Sequence, residues 1–350
     1  MFSESMLVES VFAFLWALIM CSFAVPPIIF LSFRKKLLDI PTDDRRVHQD
    51  STPRLGGLAI FASFVSAVTI FGDFSHKEYA IQQIFAGVIL LFFAGVKDDI
   101  VPITPFKKFF VQLLATGIVV FIGGLRVTSL QGFMGVFELE NIGMSYAFTF
   151  IMIIAITNAI NLIDGLNGLA GSLVLLMSLV FGILFYIQDS PLCILAFSTA
   201  GAMIGFLKFN MLDGKIFMGD SGSLVIGFLM AVFSVTYLET DLSETSITPH
   251  LSIAILIIPL FDTLRVFITR IIQGRSPFSP DKNHIHHKLM DLGFSQFTTV
   301  LVLLLANLII IIFVLQVPVF NINYFVLSLV LIAISVSLFM KFKDKQNQYK

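Results

Sequence analysis

Three of the chain's six histidines, His284, His286 and His287, fall within four positions of one another in "SPDKNHIHHKLM", residues 279–290. Imidazoles gathered in a polar segment can donate hydrogen bonds to anionic oxygens, and they can carry charge near neutral pH. The acids recur elsewhere. "FAGVKDDIVP" carries Asp98 and Asp99, and "NAINLIDGLNGLAG" carries Asn161, Asp164 and Asn167. "FNMLDGKIFMGDSGS" carries Asn210, Asp213 and Asp220, and "IPLFDTLRVFITR" carries Asp262 and Arg270. Carboxylates clustered with carboxamides suit a hard divalent cation such as Mg²⁺, or Mn²⁺, which takes few protein ligands and leaves positions for phosphate oxygens. Gly165, Gly168, Gly219 and Gly222 flank those acids and let backbone approach a ligand. Lys107, Lys108, Arg270, Lys282 and Lys288 are the cations at hand to neutralise a diphosphate.

Each feature alone has an ordinary reading. Asp98 and Asp99 could be a solvated helix end, Asp213 a turn acid in "LDGK", and "GLNGLAGS" plain helix packing in lipid. Asp262, inside an apolar helix, implies function or an internal partner. Their coincidence on one face of the molecule outweighs the separate readings.

The elements that must position them are membrane helices. The chain has 350 residues, 57% of them hydrophobic and 13% charged, with a mean hydropathy of +0.94. Soluble domains carry about 25% charged residues. Apolar runs near the length of a spanning helix occur at 7–33, 55–72, 80–96, 106–124, 144–160, 166–187, 191–207, 222–238, 250–269, 298–317 and 322–340. The expected fold is therefore all-α: a polytopic membrane protein of about eleven transmembrane helices, residues 1–350 forming one integral membrane domain.

Of the 22 Lys and Arg, all but Lys77 and Arg126 fall at 34–54, 97–108, 208–215, 265–288 and 341–350, the same set of span ends. The positive-inside rule makes that side cytoplasmic, with the N-terminus outside, the C-terminus inside and the acids on the cytoplasmic face. "MFSESMLVES" lacks the positive start of a cleaved signal peptide, so the first helix reads as a permanent anchor. Cys21 and Cys193 lie in apolar runs and suggest neither a disulfide framework nor a metal site. A net charge of −1 gives no sign of a nucleic-acid partner. The order of oligomerisation is open, a homodimer included.

"RRVHQDSTPRLGG", "KDDIVPITPFKK", "NAINLIDGLNGLAG", "FNMLDGKIFMGDSGS" and "RSPFSPDKNHIHH", taken together and in this order, resemble the polyprenyl-phosphate N-acetylhexosamine-1-phosphate transferase family. "HIHH" resembles its WecA and TagO branch. The resemblance implies that a membrane polyprenyl (undecaprenyl) phosphate attacks the β-phosphorus of a cytosolic UDP-N-acetylhexosamine, most simply UDP-GlcNAc. The products are polyprenyl-diphospho-sugar and UMP, Mg²⁺ is required, and the reaction is the first membrane step of an envelope glycan at the inner (cytoplasmic) membrane.

By the same resemblance Asp220 is a metal ligand. Asp98 and Asp99 form an acidic pair near the lipid phosphate or the metal, with Asp99 the second metal ligand and Asp98 a proposed base. Asp164 and Asn161 lie around the diphosphate, and Lys107 and Asn167 join the substrate contacts. Asn210 and Phe217 contact the nucleotide, with Phe217 stacking on uracil. Arg270, His284, His286 and His287 grip sugar and diphosphate. One departure is Asn167, where the family's usual residue is aspartate. The carboxamide keeps size and one acceptor but loses the charge.

The competing readings are a phospho-MurNAc-pentapeptide transferase, a membrane transporter with polar groups at the bilayer midplane, and a di-iron desaturase. The last would need more histidine clusters than this chain has.

Overall fold

The computed structural model describes residues 4–37, 52–75, 80–211, 214–240, 247–274, 284–316 and 321–348. In chain order the helices are α1 (Glu4–Lys35), α2 (Gly56–Phe71), α3 (Ile81–Ile100) and α4 (Pro105–Gly117), which runs on into a π-helical turn over Ile118–Ile122. A two-stranded antiparallel hairpin, β1 (Ser129–Phe133) and β2 (Val136–Glu138), follows. Then come α5 (Ile142–Ile163), α6 (Leu169–Ile187), α7 (Leu192–Asn210), α8 (Gly219–Leu238), α9 (Thr248–Ile255), α10 (Ile257–Ile272), α11 (Ile285–Asp291), α12 (Gln296–Gln316) and α13 (Ile322–Gln348).

The protein is an all-α polytopic membrane protein. Among the described residues eight helices are long and apolar enough to cross a membrane, and a ninth span forms if the bent pair α9–α10 counts as one. Two further apolar helices, Gly56–Phe71 and Ile322–Ile332, are shorter. All eleven apolar runs of the sequence thus carry helices, while the spans that meet the length test number eight or nine rather than eleven.

Aliphatic surface gives no net drive for helices to associate within lipid, so close packing of small residues does. In α1, Ala13, Ala17, Cys21 and Val25 recur every fourth position and are fully buried. They meet Gly201 and Gly205 of α7, where an added Cβ would lie 2.1 Å from the Phe14 carbonyl oxygen and 2.7 Å from Cys21 Cβ. The innermost helix is α8, buried along nearly its whole length, with α2, α3, α5 and α6 around it. The outer helices turn Phe23, Phe30, Phe93, Phe121 and Ile309 outward, as a lipid-facing surface requires.

The run at 250–269 is not one straight helix. α9 and α10 meet at 74°. Pro259 has no N–H to bond Ile255, four residues back, so the ladder opens there. Asn307 of α12, fully buried, donates to the freed carbonyl of Ile255 at 3.3 Å and to the neighbouring carbonyl of Ala254 at 3.1 Å. Backbone carbonyls inside a membrane protein need such partners. The bend redirects α10, which carries Asp262, Arg265 and Arg270.

The hairpin closes the opposite end of the bundle from the acids. Glu239 accepts from the Thr128 N–H and hydroxyl at 2.9 and 2.6 Å, and Asn323 bonds the Gly132 carbonyl and the Met134 N–H. Burial pushes the Glu239 carboxyl above its usual range.

Candidate functional site

Of the acids singled out in the sequence, Asp98, Asp99, Asp164 and Asp220 come together at one end of the bundle. Asp98 and Asp99 lie in the last turn of α3, Lys108 in the first turns of α4, Asn161 in the last turn of α5 and Asp220 in the first turn of α8. At the centre is the Lys108 ammonium. It lies 2.6 Å from Asp220 Oδ1, 3.6 Å from Asp98 Oδ2 and 3.5 Å from Asn161 Oδ1. Asn161 Nδ2 donates to Asp220 Oδ1 and to Ser223 Oγ, both at 2.7 Å. Four helices thus share one polar knot. Below it, Gln112 and Asn158 pair their carboxamides at 2.8 and 3.2 Å and hold α4 against α5.

The adjacent acids of α3 have different partners. Asp98 Oδ1 accepts the Ile103 N–H at 2.7 Å and fixes the turn out of the helix. Asp99 faces α8. Its Oδ1 accepts the Asp220 N–H at 2.7 Å, and its Oδ2 accepts the Ser221 N–H at 3.0 Å and hydroxyl at 2.6 Å. A carboxylate at a helix start satisfies unpaired N–H groups and complements the dipole. Asp99, expected as a metal ligand, is therefore engaged by α8 through both oxygens.

Gly219 completes that junction. Its φ is +72°, and a Cβ there would sit 2.1 Å from the Arg54 carbonyl oxygen and 2.6 Å from Asp99 Oδ2. Residues 53–57 are strapped alongside by backbone bonds: Phe217 N–H to Pro53 O, Gly56 N–H to Phe217 O, and Gly57 N–H to Met218 O, at 2.8 to 2.9 Å.

The loop between α5 and α6 approaches the same end. Asp164 ends α5, half-buried. Burial first, then the negative charges of Asp220 and Asp99, push its carboxyl well above the ordinary range, so it is a site that a bound cation would relieve. Asn210 is buried, with Oδ1 accepting the Gly168 N–H at 2.7 Å and Nδ2 donating to the Ile216 carbonyl at 2.8 Å. Expected at the nucleotide, it acts as a brace between the two loops. Asn167 is buried in the same turn, and its carbonyl accepts from Gln296 at 3.4 Å. Phe217 is half-buried beside the strap.

The histidines follow from α10. His284 and His286 are buried and His287 is half-buried, with ring centroids 5.7 Å apart for the first pair and 4.3 Å for the second. His286 reaches the α5–α6 loop: a Cβ on Gly165 would be 2.7 Å from its Nε2. Among the described residues neither ring nitrogen of His286 has a hydrogen-bond partner. Burial, and then the neighbouring His287, lower its pKa to about 3. The imidazole is neutral at physiological pH, so it would meet a ligand as a hydrogen-bonding group. It offers one donor and one acceptor to a ligand. Arg270 is buried in the last turn of α10. Asp213 and Lys282 lie outside the described residues, as does the stretch "RRVHQD".

Lys107, expected among the substrate contacts, lies apart from the knot. Lys107 is exposed and, with Ala94, Lys97, Ile103, Phe106, Phe110 and Val111, lines a shallow apolar groove of about 300 Å³ on the outside of α3 and α4. Lys108 is the lysine inside the knot.

Among the described residues no group of three or more carboxylate, imidazole or thiol side chains converges to hold a metal. The donor set nonetheless fits a hard divalent cation. Asp98 and Asp220 already share one positive charge, the Lys108 ammonium, with the Asn161 carbonyl beside it. Mg²⁺ is held by one or two carboxylates, with water and phosphate completing its shell.

The family model "Glycosyl transferase family 4" matches residues 81–238. The chain is 34% identical over 310 residues to the probable undecaprenyl-phosphate N-acetylglucosaminyl 1-phosphate transferase of Bacillus subtilis (strain 168), covering 87% of this chain and 84% of that protein. It is 32% identical over 322 residues to the decaprenyl-phosphate N-acetylglucosaminephosphotransferase of Mycobacterium tuberculosis (strain ATCC 25618 / H37Rv), covering 83% and 78%. Against the undecaprenyl-phosphate alpha-N-acetylglucosaminyl 1-phosphate transferase of Escherichia coli (strain K12) it is 33% identical over 295 residues, covering 80% and 78%.

Proposed function

The chain belongs to glycosyl transferase family 4, among its polyprenyl-phosphate N-acetylglucosaminyl-1-phosphate transferases, and from that premise we propose the reaction and the residues that carry it. It transfers GlcNAc-1-phosphate to a polyprenyl phosphate. The donor is UDP-GlcNAc. An oxygen of the lipid phosphate attacks the β-phosphorus, the bond to the UMP oxygen breaks, and UMP leaves with the electron pair. The acceptor needs little base catalysis, because a phosphate monoester is mostly a dianion near neutral pH. Positioning and charge neutralisation therefore dominate, as in other phosphoryl transfers.

The observation that carries this reading is the knot of Asp98, Lys108, Asn161 and Asp220, drawn from four helices to the bundle end that the histidines also reach. One substrate lives in lipid and the other in water, so their chemistry belongs at such a boundary. Asp220 and Asp98 would hold Mg²⁺, with Asp164 close enough to feel its charge. Bound there, the ion would neutralise diphosphate oxygens. Lys108, in place of Lys107, is the cation for the reacting phosphates. His284, His286, His287 and Arg270 face the donor's diphosphate and sugar, and Phe217 the uracil. Asp99 and Asn210 hold the frame. Among the competing readings, the relatives' names carry N-acetylglucosamine and neither a peptide-bearing sugar nor transport.

The direct test is UMP release from purified protein with polyprenyl phosphate, Mg²⁺ and a panel of UDP-sugars. Release is expected with UDP-GlcNAc and should stop on chelation. Release without lipid acceptor, or undiminished by chelator, contradicts the reading.

The knot is assigned to the cytoplasmic face of the cytoplasmic membrane, because the basic residues crowd that side. Residues 1–350 act there as one domain. Asp291, the exposed last residue of α11, is a suitable reporter, since both native cysteines are buried. A cysteine replacing Asp291 should react with a membrane-impermeant maleimide only after the membrane is permeabilised. Labelling of intact cells would reverse the orientation and deny the site its cytosolic donor.

A further inference from the structure

Asp262 is only 1% exposed, in a helix that is otherwise mostly apolar. Its carboxylate gathers three partners. Oδ2 is 2.8 Å from His284 Nδ1, Oδ1 accepts the Ile285 N–H at 2.8 Å, and Oδ1 lies 3.2 Å from the Arg265 guanidinium. Two of those contacts reach 22 and 23 positions along the chain to the N-cap and the first residue of α11, the helix that carries His286 and His287. His284 Nε2 has no partner among the described residues.

A buried charge cluster adds little stability over well-packed apolar side chains of similar volume. Ionisable groups in membrane helices are expensive to keep there. Packing therefore does not account for Asp262, but the direction of its contacts does. A carboxylate at Nδ1 fixes the proton on that nitrogen and leaves Nε2 to face outward, the arrangement by which carboxylates orient working imidazoles elsewhere. The bond to the Ile285 N–H pins the start of α11, and so delivers His286 to Gly165 beside Asp164.

We propose that Asp262 is a positioning residue of this transferase: it sets the tautomer and direction of His284 and locks the histidine helix onto the α5–α6 loop, so that the imidazoles meet the diphosphate of the nucleotide-sugar donor. The proposal rests on the reading above that the histidines face the donor.

A double-mutant cycle tests it. His284→Ala removes the ring, and Asp262→Asn keeps the shape but turns an N–H toward His284 Nδ1. Each single variant should lower kcat/KM for UDP-GlcNAc about 100-fold, with the KM for polyprenyl phosphate unchanged. Residues that act as one unit are strongly non-additive, so D262N/H284A should fall within about threefold of the worse single variant.

Multiplying losses would overturn the proposal, as would wild-type turnover in D262N beside an impaired H284A. An unimpaired H284A is a separate result, which sinks the placement of the donor at the histidines. Because D262N leaves Arg265 facing a neutral group, D262N/R265Q serves as the second variant, removing both charges together. It should show the same donor-specific loss with a wild-type thermal midpoint in detergent, and normal donor kinetics in it would also overturn the proposal.

Discussion

Asp220→Asn is expected to lower turnover about 1000-fold while the protein folds as before. Removing one preorganised electrostatic partner of a transition state typically reduces turnover by about 100- to 1000-fold, and Asp220 is bound to more than one function of the knot. Its Oδ1 takes both the Lys108 ammonium and the Asn161 carboxamide. The substitution keeps that acceptor in place and removes the charge. Lys108 would retain Asp98 at 3.6 Å, and the start of α8 would retain Asp99. The missing property would be the second negative charge that draws Mg²⁺ to the diphosphate. Thermal midpoint in detergent and the rate of UMP release, measured across a Mg²⁺ titration, check both halves of the expectation. Activity within tenfold of wild type at ordinary Mg²⁺ would remove Asp220 from the cation site.

The site was legible in the sequence because hydrocarbon excludes charge. Asp98, Asp164, Asp220 and Asp262 each interrupt or end an apolar run, and such residues mark function by default. Their shared end of the bundle followed from the succession of helices alone. Which of two neighbours enters the site was not legible. Successive residues on a helix point about 100° apart, so Asp98 and Asp99, or Lys107 and Lys108, are alike in type yet face different surroundings. Packing of α3 against α8, and of α4 against α5, decides between them. Hydropathy likewise reports composition without direction. The run at 250–269 read as one span, and the 74° bend shows locally only as Pro259. What stabilises it, Asn307, lies some fifty residues further on. The hairpin at 129–138 has the same character, since its anchors Glu239 and Asn323 are distant in the chain.

Asp99→Asn separates structure from chemistry in the acidic pair. Three donors converge on this carboxylate: the N–H groups of Asp220 and Ser221 and the Ser221 hydroxyl. A carboxylate accepts through both oxygens, whereas a carboxamide accepts through one and turns N–H toward the other donors. Hydrogen bonds to charged groups contribute about 1.5–3 kcal/mol each, and a buried donor left unpaired adds its own penalty. The neighbourhood has little room to relax. Gly95, one turn back on α3, would place a Cβ 2.4 Å from the Ser221 Cα, and Gly219 is held against Arg54. D99N should therefore destabilise the protein by roughly 3 kcal/mol and lower its thermal midpoint by several degrees. Turnover should drop with it, because the same junction aims the Asp220 side chain at Lys108. Ser221→Ala, which removes only the hydroxyl among the three donors, should lie between D99N and wild type on both measures. Under this assignment D99N loses stability and activity together, whereas D220N loses activity alone. A D99N protein with the wild-type midpoint and no turnover would give Asp99 a direct part in the chemistry and return it to the cation or the lipid phosphate.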